Sequence, residues 1–209
     1  MGEGSKIRVV SVDDHPLLRE GIAAIINSQP HMEMVGQAEN GEAGIAAFRQ
    51  WRPDVLLMDL RLPDMSGITA MERILAEAPW ARIIILTTFE GDVEIQRAME
   101  AGAQGYLLKS MPPKDLVEAI VRVHGGKKRI PPEVAAKLAE HMGEETLTPR
   151  EIDVLRELGG GNRNRDIAEI LNISEDTVKV HVKHLMEKLG ASDRTQAVAI
   201  ALRRGIIQL

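Results

Sequence analysis

The sequence contains no cysteine and no uninterrupted apolar run of about 18 residues. Without cysteine, the chain can form neither a disulfide nor a thiolate zinc site, and it places no demand on an oxidising compartment. Without a long apolar run, it contains no predicted transmembrane helix. Its start, MGEGSKIR, leads into a predicted strand instead of a signal-peptide core. We therefore expect a cytoplasmic protein that does not enter a membrane.

A strong basic surplus is also missing, because the formal net charge is −5. Residues 1–145 contain 16 Lys and Arg against 22 Asp and Glu, whereas residues 146–209 contain 10 against 9. The acidity thus belongs to the first part of the chain. A balance of +1 in the second part does not by itself indicate nucleic-acid binding, so such a prediction needs local clustering of basic residues.

Short apolar runs alternate with helix-periodic segments through the first 125 residues. This alternation predicts five βα units, and therefore a mostly parallel sheet with helices on both faces. Continuous apolar runs such as RIIILTT are typical of strands buried on both sides. The predicted strands are 7–12, 32–38, 54–59, 82–88 and 104–108. The predicted helices are 16–27, 41–50, 67–77, 92–101 and 113–124.

Polar residues stand where four of these strands end, and open parallel sheets bind ligands outside the carboxyl ends of their strands. Clustered carboxylates suit Mg²⁺. A hydroxyl and an ammonium can hold phosphoryl oxygens, and a remaining aspartate can become an acyl phosphate. The residues concerned are Asp13, Asp14, Asp59, Thr87 and Lys109.

Taken singly, these residues have simpler explanations. Asp59 by itself is more readily explained as the cap of a turn. Lys109 is equally well explained as a solvated lysine at a strand end, and Thr87 is more often an ordinary strand residue. Tyr106, the only tyrosine, would by itself be a core residue.

Residues 126–145 are predicted to link a first domain, 1–125, to a second domain, 146–209. The glycine pair at 125–126 ends the last helix of the first domain. The basic run at 127–129 is expected to be solvated or to approach DNA phosphates. The proline pair at 131–132 can begin a short helix that reaches about Met142.

The second domain opens with LTPREIDVLREL at 147–158, where Thr148 and Glu151 match a capping box. The spacing of Ile152, Leu155 and Leu158 predicts the buried stripe of this helix. NRDIAEIL, the short connection NIS and EDTVKVHVKHLMEKLG follow. A helix, a short turn and a second helix form a helix-turn-helix pattern.

Helical spacing assigns two faces to the segment 175–190. Its core-facing residues are predicted to be Val178, Val182, Leu185, Met186 and Leu189. Lys179, Val180 and Lys183 fall on the opposite face, flanked by His181, His184 and Lys188. Lysines can reach guanine edges or phosphates, and a valine can contact a thymine methyl group. By itself, the pattern is better explained as a solvated basic face.

Together, these motifs resemble the NarL/FixJ family of two-component response regulators along nearly the whole chain. The resemblance rests on the strand-end residues and on the segments DLRLPDMSG, LTPRE, NRDIA and SEDTVKVHVKHLMEKLG. It implies a flavodoxin-like, doubly wound, five-stranded parallel receiver and a smaller all-α helix-turn-helix domain. Ser110, where many receivers have proline, is one departure. Arg165, where the family often has lysine, is another.

The resemblance also implies the roles of individual residues in the first domain. Asp59 is expected to be the phosphoacceptor, and Mg²⁺ is expected as the cofactor. The metal site would comprise Asp14, Asp59 and the backbone carbonyl of Arg61, with Asp13 in the outer shell. Thr87 and Lys109 would bind the phosphoryl group. Tyr106 would be a rotamer switch that follows Thr87.

In the second domain, the resemblance implies that Lys179, Val180 and Lys183 read bases. Phosphate contacts are expected from Asn164, Arg165 and Thr177, with His181 and His184 at the flanks. The segment SDRTQAVAIALRRG at 192–205 is an amphipathic helix of the kind that pairs two such domains on a two-fold site. The expected partners are a sensor histidine kinase, double-stranded promoter DNA and a second copy of the phosphorylated chain.

Two other classes of protein share part of this pattern. A phosphatase of the haloacid-dehalogenase type needs a second aspartate two residues after its nucleophile, but Asp59 is followed by Leu60 and Arg61. A DNA-binding protein with a vestigial receiver is disfavoured because the set of strand-end residues is intact. The sequence therefore predicts a phosphorylation-switched transcription regulator and not an enzyme.

Overall fold

The computed structural model describes residues 5–88, 91–140 and 145–207. The chain divides into two compact units, and the main boundary between them lies inside a helix, between Ala135 and Ala136. None of the described helices has both the length and the apolar character needed to cross a membrane.

The first unit is built on a five-stranded parallel sheet with the order β2-β1-β3-β4-β5. Its strands are β1 (Ile7–Val12), β2 (Met32–Ala38), β3 (Val55–Met58), β4 (Ile83–Thr87) and β5 (Gly105–Leu108). The strand order confirms the predicted flavodoxin-like, doubly wound architecture. β3 is shorter than predicted because Asp59 already belongs to the following loop.

Helices cover both faces of this sheet. They are α1 (Pro16–Asn27), α2 (Gly41–Trp51), α3 (Gly67–Glu77), α4 (Asp92–Glu100) and α5 (Pro113–His124). α1 packs with α5, and α2 packs with α3. Consecutive residues such as Leu56 and Leu57 point to opposite faces, yet both are buried, as predicted for a sheet covered on both sides.

The segment after α5 returns to the sheet. The backbone N–H of Tyr106 donates to the carbonyl of Arg129 at 3.1 Å, and the N–H of Arg129 donates to the carbonyl of Gln104 at 2.9 Å. Arg129 was predicted to belong to a run that is solvated or approaches DNA phosphates, but its backbone extends the β5 edge in parallel register with Gly105. Lys127 and Lys128 are exposed as expected.

The described helices that follow are α6 (Pro132–Glu140), α7 (Pro149–Gly159), α8 (Asn164–Leu171), α9 (Glu175–Leu189) and α10 (Arg194–Arg204). The prediction that the linker helix reaches about Met142 falls outside the described residues. Asn172 ends α8 in the left-handed conformation, and the Ser174 hydroxyl caps α9 by accepting from the N–H of Thr177 at 3.1 Å. The predicted helix-turn-helix is thus present.

The core of the second unit confirms the predicted faces of α9. Val178 and Leu185 are completely buried, and Val182, Met186 and Leu189 are partly buried against the same cluster. The stripe of α7 also lies in this core, with Leu155 and Leu158 buried and Ile152 partly buried. Val154, which the spacing did not single out, is fully buried as well.

Candidate functional site

The first candidate site lies at the carboxyl ends of the parallel strands. Asp13 and Asp59 directly follow β1 and β3, Thr87 ends β4, and Lys109 directly follows β5. The ladder continues into these residues, because the N–H of Asp59 donates to Val12 O at 2.9 Å and the N–H of Lys109 donates to Thr87 O at 2.8 Å. The register of the sheet therefore brings these side chains to one rim, which we call the rim site (Asp13, Asp14, Asp59, Thr87 and Lys109).

Lys109 joins the two innermost carboxylates of the rim site. Its Nζ lies 2.7 Å from Asp13 Oδ2 and 2.7 Å from Asp59 Oδ2. Only 7% of the lysine side chain is exposed, against 2% and 4% of the two aspartates. The pairing holds the three groups in a fixed arrangement away from bulk water, where electrostatic interactions are strengthened.

The pKa values of this group reflect a balance between burial and pairing. Burial raises the pKa of Asp59 above its usual value, the charge of Asp13 adds to this rise, and the hydrogen bond and charge of Lys109 only partly oppose it. Burial also lowers the pKa of Lys109, but the hydrogen bonds and charges of Asp13 and Asp59 outweigh that effect, so its pKa is raised. Lys109 is thus firmly charged, while ionised Asp59 is incompletely compensated.

Asp14 and His15 complete an oxygen-rich cluster that could hold a metal ion. Asp13, Asp14, His15 and Asp59 each offer one ligand atom, and these atoms lie within 4.8 Å of one another. The Nδ1 atom of His15 lies 2.6 Å from Asp14 Oδ1 and 3.1 Å from Asp13 Oδ1. His15 was not predicted from the sequence, although its position directly after the two aspartates was a usable signal.

The remaining residues predicted for this site are Thr87, Tyr106 and Arg61. Thr87 and Tyr106 are buried, with 1% and 0% exposure. The backbone N–H of Arg61 hydrogen-bonds to the carboxylate of Asp59, which brings the Arg61 peptide to the rim, while the Arg61 side chain is exposed. Gly67 lies so close behind this segment that a Cβ atom would be 1.9 Å from Asp59 O, so only glycine fits there.

The second candidate site is the exposed face of α9. Lys179, Lys183 and His184 are exposed, His181 is partly buried, and Val180 is an exposed apolar residue at 50%. Among the residues that the structure describes, the acids paired with these lysines belong to α9 itself, with Lys179 Nζ 3.0 Å from Asp176 Oδ1 and Lys183 Nζ 3.8 Å from Glu187 Oε1. Such exposed pairs are weak, so both ammonium groups remain available to an external partner.

The residues predicted to contact phosphates flank this face. Arg165 is exposed and has its Nε 3.3 Å from Glu169 Oε1, whereas Asn164 at the start of α8 is partly buried. Thr177 is partly buried, and its hydroxyl lies 2.7 Å from that of Ser174. Their positions at the first turns of α8 and α9 suit contacts with an anionic backbone.

Lys188 differs from the expectation that it flanks the exposed face. Its Nζ lies 2.9 Å from Oε2 of the buried Glu151 and 3.3 Å from the carbonyl of Thr146. The same Glu151 oxygen accepts from the backbone N–H of Thr148 at 2.7 Å and from its hydroxyl at 3.0 Å. Lys188 therefore joins the end of α9 to the predicted capping box of α7, which the structure confirms.

A doubly wound sheet with an acidic rim, joined to a helix-turn-helix, is the architecture of a two-part regulator. Comparisons with known proteins identify the same two parts. Residues 9–121 match the response regulator receiver domain, and residues 145–201 match the luxR family of bacterial regulatory proteins. The transcriptional regulatory protein YxjL of Bacillus subtilis is 44% identical over 214 residues, covering 97% of this chain and 98% of the relative. The response regulator protein VraR of Staphylococcus aureus is 37% identical over 207 residues, covering 97% and 99%.

Solved structures of response regulators are also similar to this chain. The response regulator ChrA of a heme-sensing two-component system is 37% identical, with a TM-score of 0.59 and coverage of 98% of this chain and 100% of that one. RcsB from Salmonella enterica serovar Typhimurium, bound to a promoter with the phosphomimetic BeF3⁻, is 29% identical, with a TM-score of 0.75 and coverage of 94% and 98%. This chain belongs to the response regulators that join a receiver to a LuxR-type helix-turn-helix domain, a family of transcription regulators and not of enzymes.

Proposed function

We propose that Asp59 accepts a phosphoryl group from a sensor histidine kinase and that this phosphorylation controls dimerisation and promoter binding. The observation that carries the proposal is the position of Lys109, whose ammonium lies 2.7 Å from both Asp13 and Asp59. With Asp14 beside them, the carboxylates of the rim outnumber this lysine, and negative charge in excess attracts a cation. A carboxylate that is buried, fixed and only partly compensated is suited to act as the acceptor.

The donor set of the rim fits Mg²⁺, which prefers a few carboxylate oxygens and keeps several waters. Carboxylate oxygens of Asp13, Asp14 and Asp59 lie within 4.8 Å of one another. We assign Asp14, Asp59 and the Arg61 carbonyl as ligands and Asp13 to the outer shell. When bound there, Mg²⁺ supplies positive charge to the phosphoryl oxygens.

In the transfer step, an oxygen of Asp59 forms a bond to phosphorus as the bond from phosphorus to the donor imidazole nitrogen breaks. The electron pair leaves with that nitrogen, which takes up a proton, and Asp59 becomes an acyl phosphate. Lys109 and Thr87 hold phosphoryl oxygens through charge-assisted hydrogen bonds. The product carries nearly two negative charges in place of one.

This added charge is the signal that the rest of the receiver detects. Thr87 turns toward the phosphoryl group, and Tyr106, on the adjacent strand beside Ile85, adjusts to the space that Thr87 leaves. The ends of β4 and β5 move with them. Such a shift changes function only when the protein has two arrangements close in energy.

The output is proposed to be two-fold DNA binding through α9. Lys179, Val180 and Lys183 contact base edges, and their exposure supports this role. Asn164, Arg165 and Thr177 contact phosphates, with His181 and His184 beside them. The promoter-bound RcsB structure supports the same output for this chain. From the two proposed partners, a kinase donor and promoter DNA, we infer that the protein acts in the cytoplasm.

The test begins with selection of bound DNA from a random pool. The selected duplex is then titrated with the wild type and with Asp59→Asn, each with and without beryllofluoride and Mg²⁺. A coupling of about 1–3 kcal/mol corresponds to a change in affinity of roughly 5- to 150-fold, which is expected only for the wild type with the analogue. Equal affinity in all four titrations, with the analogue shown to be bound, would refute the switch but not DNA binding.

A further inference from the structure

The loop between β3 and α3 (residues 59–66, the β3–α3 loop) contains Asp59 and the Arg61 carbonyl, and its base is closed by the backbone. The N–H of Gly67 donates to Leu60 O at 2.8 Å, and Arg61 bridges Ser66 in antiparallel fashion. These contacts lie at the neck of the loop. The tip of the loop also makes a contact outside the loop.

That outside contact is the start of α2. The side chain of Asp64 accepts from the N–H of Gly41 at 2.7 Å and from the N–H of Glu42 at 2.9 Å. These are the first two N–H groups of α2, which have no partner inside their own helix. The hydrogen bonds from Glu42 and Gly41 hold the pKa of Asp64 below its usual value, so the contact is a charged one.

The same helix start has a second, independent cap. Asn40 accepts from the N–H of Ala43 at 2.8 Å, so it covers the third N–H group of α2 from within its own segment. Asp64, in contrast, belongs to a different segment and lies 23 residues after Gly41 in the chain. Gly41 lets the loop tip pack this closely, because a Cβ atom there would lie 2.5 Å from Met65 Cγ and 3.3 Å from Asp64 Oδ1.

We propose that Asp64 is a positioning residue of the metal site, which anchors the tip of the β3–α3 loop to α2 and thereby fixes the Arg61 carbonyl as a ligand. The inference rests on the proposed function, which assigns Arg61 to Mg²⁺. Groups that hold metal ligands in place affect affinity although they do not touch the ion. Asn40 stabilises the same helix without holding the loop, so the chain provides its own matched control.

The experiment titrates Mg²⁺ calorimetrically into the full chain, without a phosphodonor, for the wild type, Asp64→Ala, Asp64→Asn and Asn40→Ala. Asp64→Ala should raise the Mg²⁺ dissociation constant about 10-fold, as loss of an outer-shell group does. Asp64→Asn should raise it less, because its amide oxygen can still accept one of the two N–H groups. Asn40→Ala should leave it unchanged, and far-UV circular dichroism verifies that each variant is folded.

Two results would overturn the positioning role. One is wild-type Mg²⁺ affinity in both Asp64 variants. The other is an equal loss in Asn40→Ala, which would mean that any weakening of α2 has the same effect. A wild type that binds no Mg²⁺ would instead overturn the proposed function on which the role depends.

Discussion

Each unit of this protein contains a buried carboxylate paired with a lysine, and the pKa values of these two carboxylates shift in opposite directions. Asp59 lies 2.7 Å from Lys109, and Glu151 lies 2.9 Å from Lys188. Both acidic side chains are 4% exposed. Yet the pKa of Asp59 is raised, whereas the pKa of Glu151 is lowered, because hydrogen bonds from Lys188 and Thr148 outweigh the effect of its burial.

The difference comes from the balance between burial and partners: burial and the charge of Asp13 outweigh the donors of Asp59, whereas the donors of Glu151 outweigh its burial. Oε2 of Glu151 accepts from Lys188 and twice from Thr148, so its charge is matched by the fold itself. Asp59 shares its lysine with Asp13, so the fold leaves part of its charge unmatched. Glu151 is a structural charge, whereas the raised pKa of Asp59 means that its ionised form is held in the fold at some cost in stability. The stabilities of the two units can test this distinction separately, since the two tryptophans, Trp51 and Trp80, belong to the first unit.

The largest effect is expected from Lys109→Ala. Removing this lysine leaves Asp13 and Asp59 buried without their shared counter-charge, which should lower the free energy of unfolding of the first unit by about 3 kcal/mol. Denaturant titration followed by tryptophan fluorescence, in the presence of a chelator, measures this loss. Added Mg²⁺ should recover part of it, because an ion that binds only the folded state stabilises that state. An unchanged midpoint would show that the lysine carries little of the compensation.

Glu151→Ala should lower the stability of the second unit by about 2 kcal/mol, the range for hydrogen bonds to a charged group. The folded pKa of Glu151 lies below its unfolded value, so its contribution is present above an unfolded pKa of about 4.3 and is lost as the pH falls through the folded value. The free energy of unfolding of the variant should therefore fall less between pH 7 and pH 4 than that of the wild type. Amide hydrogen exchange in α7 and α9, measured at pH 7 and near pH 4, compares the stability of the second unit in the wild type and in the variant.

Asp59→Asn should have a smaller effect of opposite sign and stabilise the first unit at neutral pH without metal. The folded pKa of Asp59 is above its unfolded value, so the folded state binds the proton more tightly and the wild type loses stability as the pH rises from about 4 through the folded pKa. The advantage of the variant should therefore shrink toward pH 4. A variant less stable than the wild type at pH 7.5, by tryptophan fluorescence, would contradict the interpretation of Asp59 as an uncompensated charge.

The smallest effect on stability is expected from Lys183→Ala, within about 0.5 kcal/mol, because its ammonium is exposed. If Lys183 reads a guanine, the variant should nevertheless lose about 1–3 kcal/mol of discrimination at particular base pairs, measured by titrating single-base variants of the selected duplex. Lys188→Ala on the same helix is the matched control, which should weaken the fold without relaxing base preference. A uniform loss over all sequences would instead indicate a phosphate contact by Lys183.

The rim site was largely predictable from the sequence because one geometric fact determines it. Parallel strands end at a common edge, so Asp13, Asp59, Thr87 and Lys109, each at the end of an apolar run, had to approach one another. The capping box of α7 was predictable for a similar reason, since Thr148 and Glu151 are close in the chain. In both cases a local pattern and a known element geometry were sufficient.

Contacts between loops and distant elements were not predictable in this way. Asp64 reaches α2 across 23 residues, and Lys188 reaches Glu151 across 37. The helix and strand periodicities in the sequence do not relate residues so far apart in the chain, so they could not predict these contacts. Helical spacing placed Lys188 at the border between the two faces of α9. The ammonium of Lys188 points toward α7 because Glu151 lies there, and the sequence of α9 does not contain that information. Likewise, the turn-forming composition of LPDMSG indicated a loop but not which helix start the loop would cap.

The pairing of Arg129 with β5 has a practical consequence for anyone who divides this protein into pieces. A fragment that ends at residue 125, where the first domain ends by composition, would remove the partners of Gln104 and Tyr106 and expose a sheet edge. Bare edges promote strand-to-strand association between molecules. Self-association of that fragment would then be mistaken for dimerisation driven by phosphorylation. A piece that retains residues 126–131 keeps the edge covered and allows the two kinds of association to be distinguished.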